Sequence, residues 1–136
     1  HHHNDQLSIE LWISKKCIIG DPGSYIYVAL EEKRNQYRSV SAHFTPQVIS
    51  KEPSSLQKGL FQLGPPTKAE CLHFSESGFV GRHIGYGDWI WRNIKINNDS
   101  IEIFDLIDST QHVLKNNDDI LWDAPLFSSG YGIIKP

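Results

Sequence analysis

The sequence predicts an α+β protein that is mostly β: a single domain with a twisted antiparallel sheet, folded as a sandwich or backed by helices, and one or two short helices near residues 46–63. Three observations predict it. The stretch 89–108 reads as a β-hairpin with a deducible register, residues 7–13 alternate apolar and polar side chains, and the middle of the chain carries helix starts and stops.

The hairpin is the clearest signal. Asn98-Asp99 tolerate the positive φ of a tight two-residue turn. With that turn central, Ile96 faces Ile101, Lys95 faces Glu102, Ile94 faces Ile103, Arg92 faces Asp105 and Ile90 faces Ile107. One register yields two opposite-charge pairs and three Ile–Ile pairs. A slip by one residue turns each strand over and loses them.

The remaining elements follow in chain order. His1-His2-His3 reads as a purification-tag remnant, leaving 4–136 as one globular domain. Leu7, Ile9, Leu11 and Ile13 share one strand face, and Trp12 stands among Ser8, Glu10 and Ser14 on the other. Asp21-Pro22-Gly23 is a turn. Residues 24–32, apolar on both faces, read as an interior strand. The charged run 31–36 reads as a loop or hairpin end, and 37–44 as the return strand. Thr45-Pro46 has the form of a helix start, stopped by Pro53. Ser54 or Ser55 caps a second short helix with Leu56, Leu60 and Leu63 on one face, ended by Gly64-Pro65-Pro66. Residues 69–74 form a strand turned by Glu76-Ser77-Gly78. Gly78, Gly81, Gly85 and Gly87 mark the following segment as a loop. Ser109 or Thr110 caps one helical turn, Asn116-Asn117-Asp118-Asp119 is a polar turn, Ile120-Leu121-Trp122 and Leu126-Phe127 are apolar anchors, and 130–134 forms a last short strand.

Composition narrows the function. Hydrophobic residues make up 39% and the longest apolar runs are far too short to cross a bilayer. The net charge is −3 and the 13 basic residues are scattered, which argues against nucleic acid as a partner. Methionine is absent, and the expectation is a chain cut at its start, by removal of an export signal or by a trimmed tag, in an exported, periplasmic or extracellular setting. Cys17 and Cys71 suit neither a zinc knuckle nor a C-x-x-C, leaving two buried thiols or one disulfide.

Candidate site residues come from side chains out of keeping with their surroundings. Trp89 and Trp91 share one strand face beside the glycine-rich segment, with Tyr86 and Asp88 at its rim; Trp12 stands on a polar face; Arg92 and Asp105 form a charged pair on a face otherwise made of isoleucine. The plainer reading makes these aromatics core residues and the pair a marginal ion bridge. No G-x-S-x-G is present, and His83 and His73 are the acid–base candidates. No metal motif or phosphate-cradling loop occurs, so no metal or cofactor is expected. The leading expectation is a non-catalytic protein-binding domain, of inhibitor or toxin-neutralising immunity type, that occludes one protein partner through Trp12, Tyr86, Trp89 and Trp91. A carbohydrate-binding module using Trp89 and Trp91 is the first alternative, with Asp88 and Asn93 bonding hydroxyls. A small His-dependent hydrolase or nuclease is the second.

Overall fold

The computed structural model describes residues 2–120 and 124–134. It is mostly sheet, with one α-helix and short 3-10 turns. Strands β1 (Leu11–Ile13) and β2 (Lys16–Ile19) form a two-stranded sheet. Helix α1 spans Glu31–Arg38. Strands β3 (Glu70–Ser75), β4 (Gly78–His83), β5 (Ile90–Ile96) and β6 (Ile101–Ile107) form an antiparallel four-stranded sheet in sequence order.

The β5–β6 hairpin has the register read from its side chains, from Ile96 opposite Ile101 to Ile90 opposite Ile107. The turn is where the sequence puts it, closed by a 2.8 Å bond from the Asn97 N–H to the Ser100 carbonyl. Neither Asn98 nor Asp99 adopts a positive φ, however. That backbone state occurs instead at Ser14 (48°) and Lys15 (67°), which join β1 to β2.

Other segments depart from expectation. Of residues 7–13 only 11–13 are strand, because Leu7 sits at φ 62° and turns the chain. Residues 24–30 are irregular and Tyr25 has φ 54°, so no interior strand forms there, and 37–44 is not a return strand. The helix lies at 31–38, ahead of the 46–63 segment expected to hold it. Arg34, Tyr37 and Arg38 are its buried residues, at the spacing of one helical face, and Glu31 and Glu32 occupy the first turn, where the helix dipole favours carboxylates. Segment 46–63 carries only a 3-10 turn, Leu56–Lys58, capped by Ser55. Val48 bridges to Leu114 instead of extending a helix. Ser109 accepts bonds from the Gln111 and His112 N–H groups, but no helix follows. Asn116 caps a 3-10 turn at Asn117–Asp119, as a polar turn should. Gly130–Ile133 is an isolated bridge, and Leu121 and Trp122 lie outside the described residues.

The glycine-rich segment is strand as far as His83, and its glycines act by allowing close approach. A Cβ at Gly81 would stand 2.5 Å from the Phe79 ring and 2.7 Å from Leu7. Cys17 and Cys71 are both free and both exposed, neither bridged nor buried.

One sheet face points inward. Val48, Tyr86 and Ile90 form its apolar centre, with Ile107 and Leu114 against them. Irregular backbone covers this face: the Leu7 and Phe44 carbonyls both accept from Arg92, and the Pro46 carbonyl accepts from the Tyr86 hydroxyl. The outer face stays open, with Phe104 60% and Leu106 52% exposed. Asn4 is buried and fastens the start of the chain to the molecule, donating to Glu52 and to the Ser54 carbonyl.

Candidate functional site

Four separate segments bring polar groups together beside α1. The Asp21-Pro22-Gly23 turn presents the Asp21 carboxylate, whose Oδ1 accepts from the Gly23 N–H at 2.8 Å. Its Oδ2 lies 2.7 Å from Nδ1 of His43, a fully buried imidazole just past the Val40–Ala42 turn. The contact with the carboxylate uses Nδ1 and leaves Nε2 as the ring's other nitrogen. That atom is buried and has no hydrogen-bond partner among the described residues. The His3 ring lies over His43, centroids 5.2 Å apart. Its Nε2 is 2.9 Å from Nη1 of Arg34 and 3.3 Å from the Ser24 hydroxyl. Arg34 has no lone pair to offer, so His3 accepts at Nε2 and a neutral ring carries its proton on Nδ1.

The electrostatics follow from burial. Desolvation, then the charges of His43 and Arg34, push the His3 pKa down to about 4. Burial alone would raise the Asp21 pKa, but hydrogen bonds from His43 and Gly23 outweigh it and hold the carboxyl below its usual range. Near neutral pH the set is an ionised carboxylate, a neutral imidazole at His3, and a guanidinium. An imidazole oriented by a carboxylate on one nitrogen and vacant on the other is the arrangement of a general base. His3 also lines a cleft of about 510 Å3 with His2, Asp5, Gln62 and Lys68. Among the described residues no group of three His, Cys, Asp or Glu is suited to hold a metal ion.

The residues singled out in the sequence lie elsewhere. Trp12 is 60% exposed on the small hairpin, its Nε1 donating to Glu10. Tyr86 is buried, and burial raises its hydroxyl pKa well above the usual range. Asp88 pairs with His112 at 2.9 Å; Ser109 and His112 bond its carboxyl and hold it below its ordinary pKa. Trp89 and Trp91 are half-buried neighbours tilted by 42°, and the Arg82 guanidinium lies 4.0 Å from the Trp89 ring centre. Arg92 and Asp105 pair through two bonds of 2.9 and 2.7 Å, both side chains buried. His83 is buried and accepts from the Gly85 N–H, and desolvation followed by the Arg92 charge lowers its pKa to about 4. His73 is exposed at the edge strand β3. His83 and Tyr86 stand ring to ring, 5.7 Å apart, and Trp89 lies against Trp91, while Trp12 and His73 sit on other strands.

The convergent set of His3, Asp21, Arg34 and His43 escaped the sequence reading. In the sequence His3 stands among histidines that read as a tag remnant, Asp21 in a turn and Arg34 in a charged loop; the structure packs His3 against His43 and Arg34 and puts Arg34 on α1. The available signal was the helical spacing of Arg34, Tyr37 and Arg38, which would have placed a buried arginine on a helix. Among the described residues no helix is long and apolar enough to cross a membrane.

No curated protein and no solved structure matches this chain. A family model does match, over residues 1–112, and that span contains all four convergent residues together with the whole four-stranded sheet. On that match the chain belongs to the Heparinase II/III-like, C-terminal family.

Proposed function

We propose that this chain serves an enzyme acting on an acidic polysaccharide, and that His3, Asp21, Arg34 and His43 are its chemical contribution. The family's name points to heparin, an anionic polysaccharide, as the kind of substrate. The observation that carries the reading is the buried His43 with Asp21 on Nδ1 and Nε2 vacant, next to a neutral His3 held by Arg34. An imidazole with a carboxylate on one nitrogen and no partner on the other can take a proton from a substrate, and a guanidinium beside it offers a sulfate or carboxylate a partner. The net charge of −3 works against an anionic ligand at long range, so attraction has to be local, and Lys68 in the His3 cleft supplies it. An exported setting, where such polysaccharides occur, is part of the proposal.

The test is cleavage of size-defined heparin by the intact protein carrying this chain, with His3→Ala and His43→Ala variants checked by thermal melting. Removing a general base lowers turnover by roughly 100- to 10,000-fold. A folded His43→Ala variant that cleaves at the native rate would remove His43 from the chemistry, and full activity in both variants would end the proposal.

A second reading keeps the non-catalytic protein-binding domain. One observation favours it: the open outer sheet face, where Phe104 and Leu106 are exposed next to half-buried Trp91.

A further inference from the structure

The cleft beneath the β1–β2 hairpin has a composition unlike that of the His3 cleft. It measures about 520 Å3, within the range of small-ligand sites, about 300–1,000 Å3. Trp12 forms one wall, with Pro125 and Phe127 among the apolar lining and Glu10 and Asp21 as its ionisable carboxylates. Among the described residues, no lysine, arginine or histidine lines it.

Local chain geometry presents the indole. Ser14 and Lys15, both at positive φ, make the tight turn that folds Trp12 opposite Cys17. The Trp12 Nε1–H reaches Glu10 Oε2 at 3.4 Å, which restrains the ring, yet the side chain stays 60% exposed. Gly20 lies close under Cys17, where a Cβ would stand 2.9 Å from Sγ. Asp21 belongs to this cleft and, through its Oδ2, to His43. His3, which lines the other cleft, lies against that same His43 ring.

We infer that the Trp12 cleft is a sugar subsite for a pyranose without negative charge, taking an amino-bearing ring in preference to an acetylated one and excluding a sulfated one. The C–H bonds on one face of a pyranose meet the electron-rich face of an indole, and its hydroxyl groups donate to carboxylates. An ammonium group adds attraction to both the indole face and the carboxylates. A sulfate or uronate placed here would meet two carboxylates with no cation among the described lining residues, so like-charge repulsion disfavours it. The inference rests on the carbohydrate reading of the family but not on any catalytic role for His3 or His43.

The experiment is calorimetric titration of the chain at pH 6.5 with glucosamine tetrasaccharide and with its N-acetylated and N-sulfated forms. The expected order is amino, then acetylated, with the sulfated form weakest. Trp12→Ala, with an unchanged melting curve, should weaken amino-sugar binding roughly tenfold or more, the scale of one stacking contact. Glu10→Gln should reduce the preference for amino over acetylated rings. Absence of binding by the native chain, equal or tighter binding of the sulfated form, or an unaffected Trp12→Ala variant would each overturn the inference. Cleavage of heparin by the intact protein stands or falls separately.

Discussion

Arg92 and His83 are two buried basic side chains on the inner sheet face that meet opposite fates. Arg92 keeps its charge among acceptors: both Asp105 oxygens and the carbonyls of Leu7 and Phe44, the last at 2.5 Å. Burial first, and the Arg92 charge second, hold His83 neutral, while its Nδ1 accepts from the Gly85 N–H. The folded-state pKa of about 4 lies below the ordinary histidine value of 6.5, so the unfolded chain binds more protons between those values. Stability is therefore full above about pH 6.5 and falls as pH drops towards 4. The total loss from His83 is on the order of 3 kcal/mol. Urea midpoints at pH 7 and pH 4.5 measure it. The pH slope should shrink in His83→Gln, which keeps an acceptor for the Gly85 N–H. An unchanged slope would place the titration elsewhere, with His3 the first candidate, since its pKa is depressed in the same direction.

The β5–β6 hairpin and β4 differ in how their sequences state their structure. The hairpin announces its register through side chains that pair directly across it. β4 is punctuated by Gly78 and Gly81, residues that elsewhere mark loops; here a Cβ at Gly78 would stand 2.5 Å from the Ile94 carbonyl oxygen. The hairpin also holds the Arg92–Asp105 pair, and both side chains are buried. Asp105→Ala should cost about 3–5 kcal/mol, because it leaves the Arg92 charge buried beside an empty partner position. A joint Arg92→Met, Asp105→Leu replacement should cost less than that single change, since it removes both charges. Chemical denaturation of the two variants compares them, and a single variant within about 1 kcal/mol of native would mean that solvent reaches Arg92.

Over the whole molecule, much of the interior is polar. Arg34, Arg38, Arg92, His43 and His83 are all buried, while Phe104 and Leu106 face outwards. A search for apolar stripes therefore missed α1, whose buried face is two arginines and a tyrosine, and favoured strands in 24–44, where Tyr25 and Tyr27 pack ring against ring on Tyr37 and Tyr131. Since the outer face is open, Phe104→Ser with Leu106→Ser should leave the melting temperature within a few degrees of native. If that face meets a protein partner, the same variant should abolish its co-purification with the intact protein. A large drop in melting temperature would mean that the outer face is part of the core.

By itself the sequence determined the mostly-β class, the hairpin register, the turn at Asp21 to Gly23 and the strand before Gly78. Each depends on residues near one another in the chain or paired directly across a turn, where side-chain alternation and turn chemistry act at short range. The tertiary structure alone decided that His3, Asp21, Arg34 and His43 converge and that Trp12 overlooks a cleft. Neighbouring residues carry no trace of such convergence. Burial in the folded chain makes His3 a neutral base, and contacts over long separations orient His43 and Asp21 as a pair.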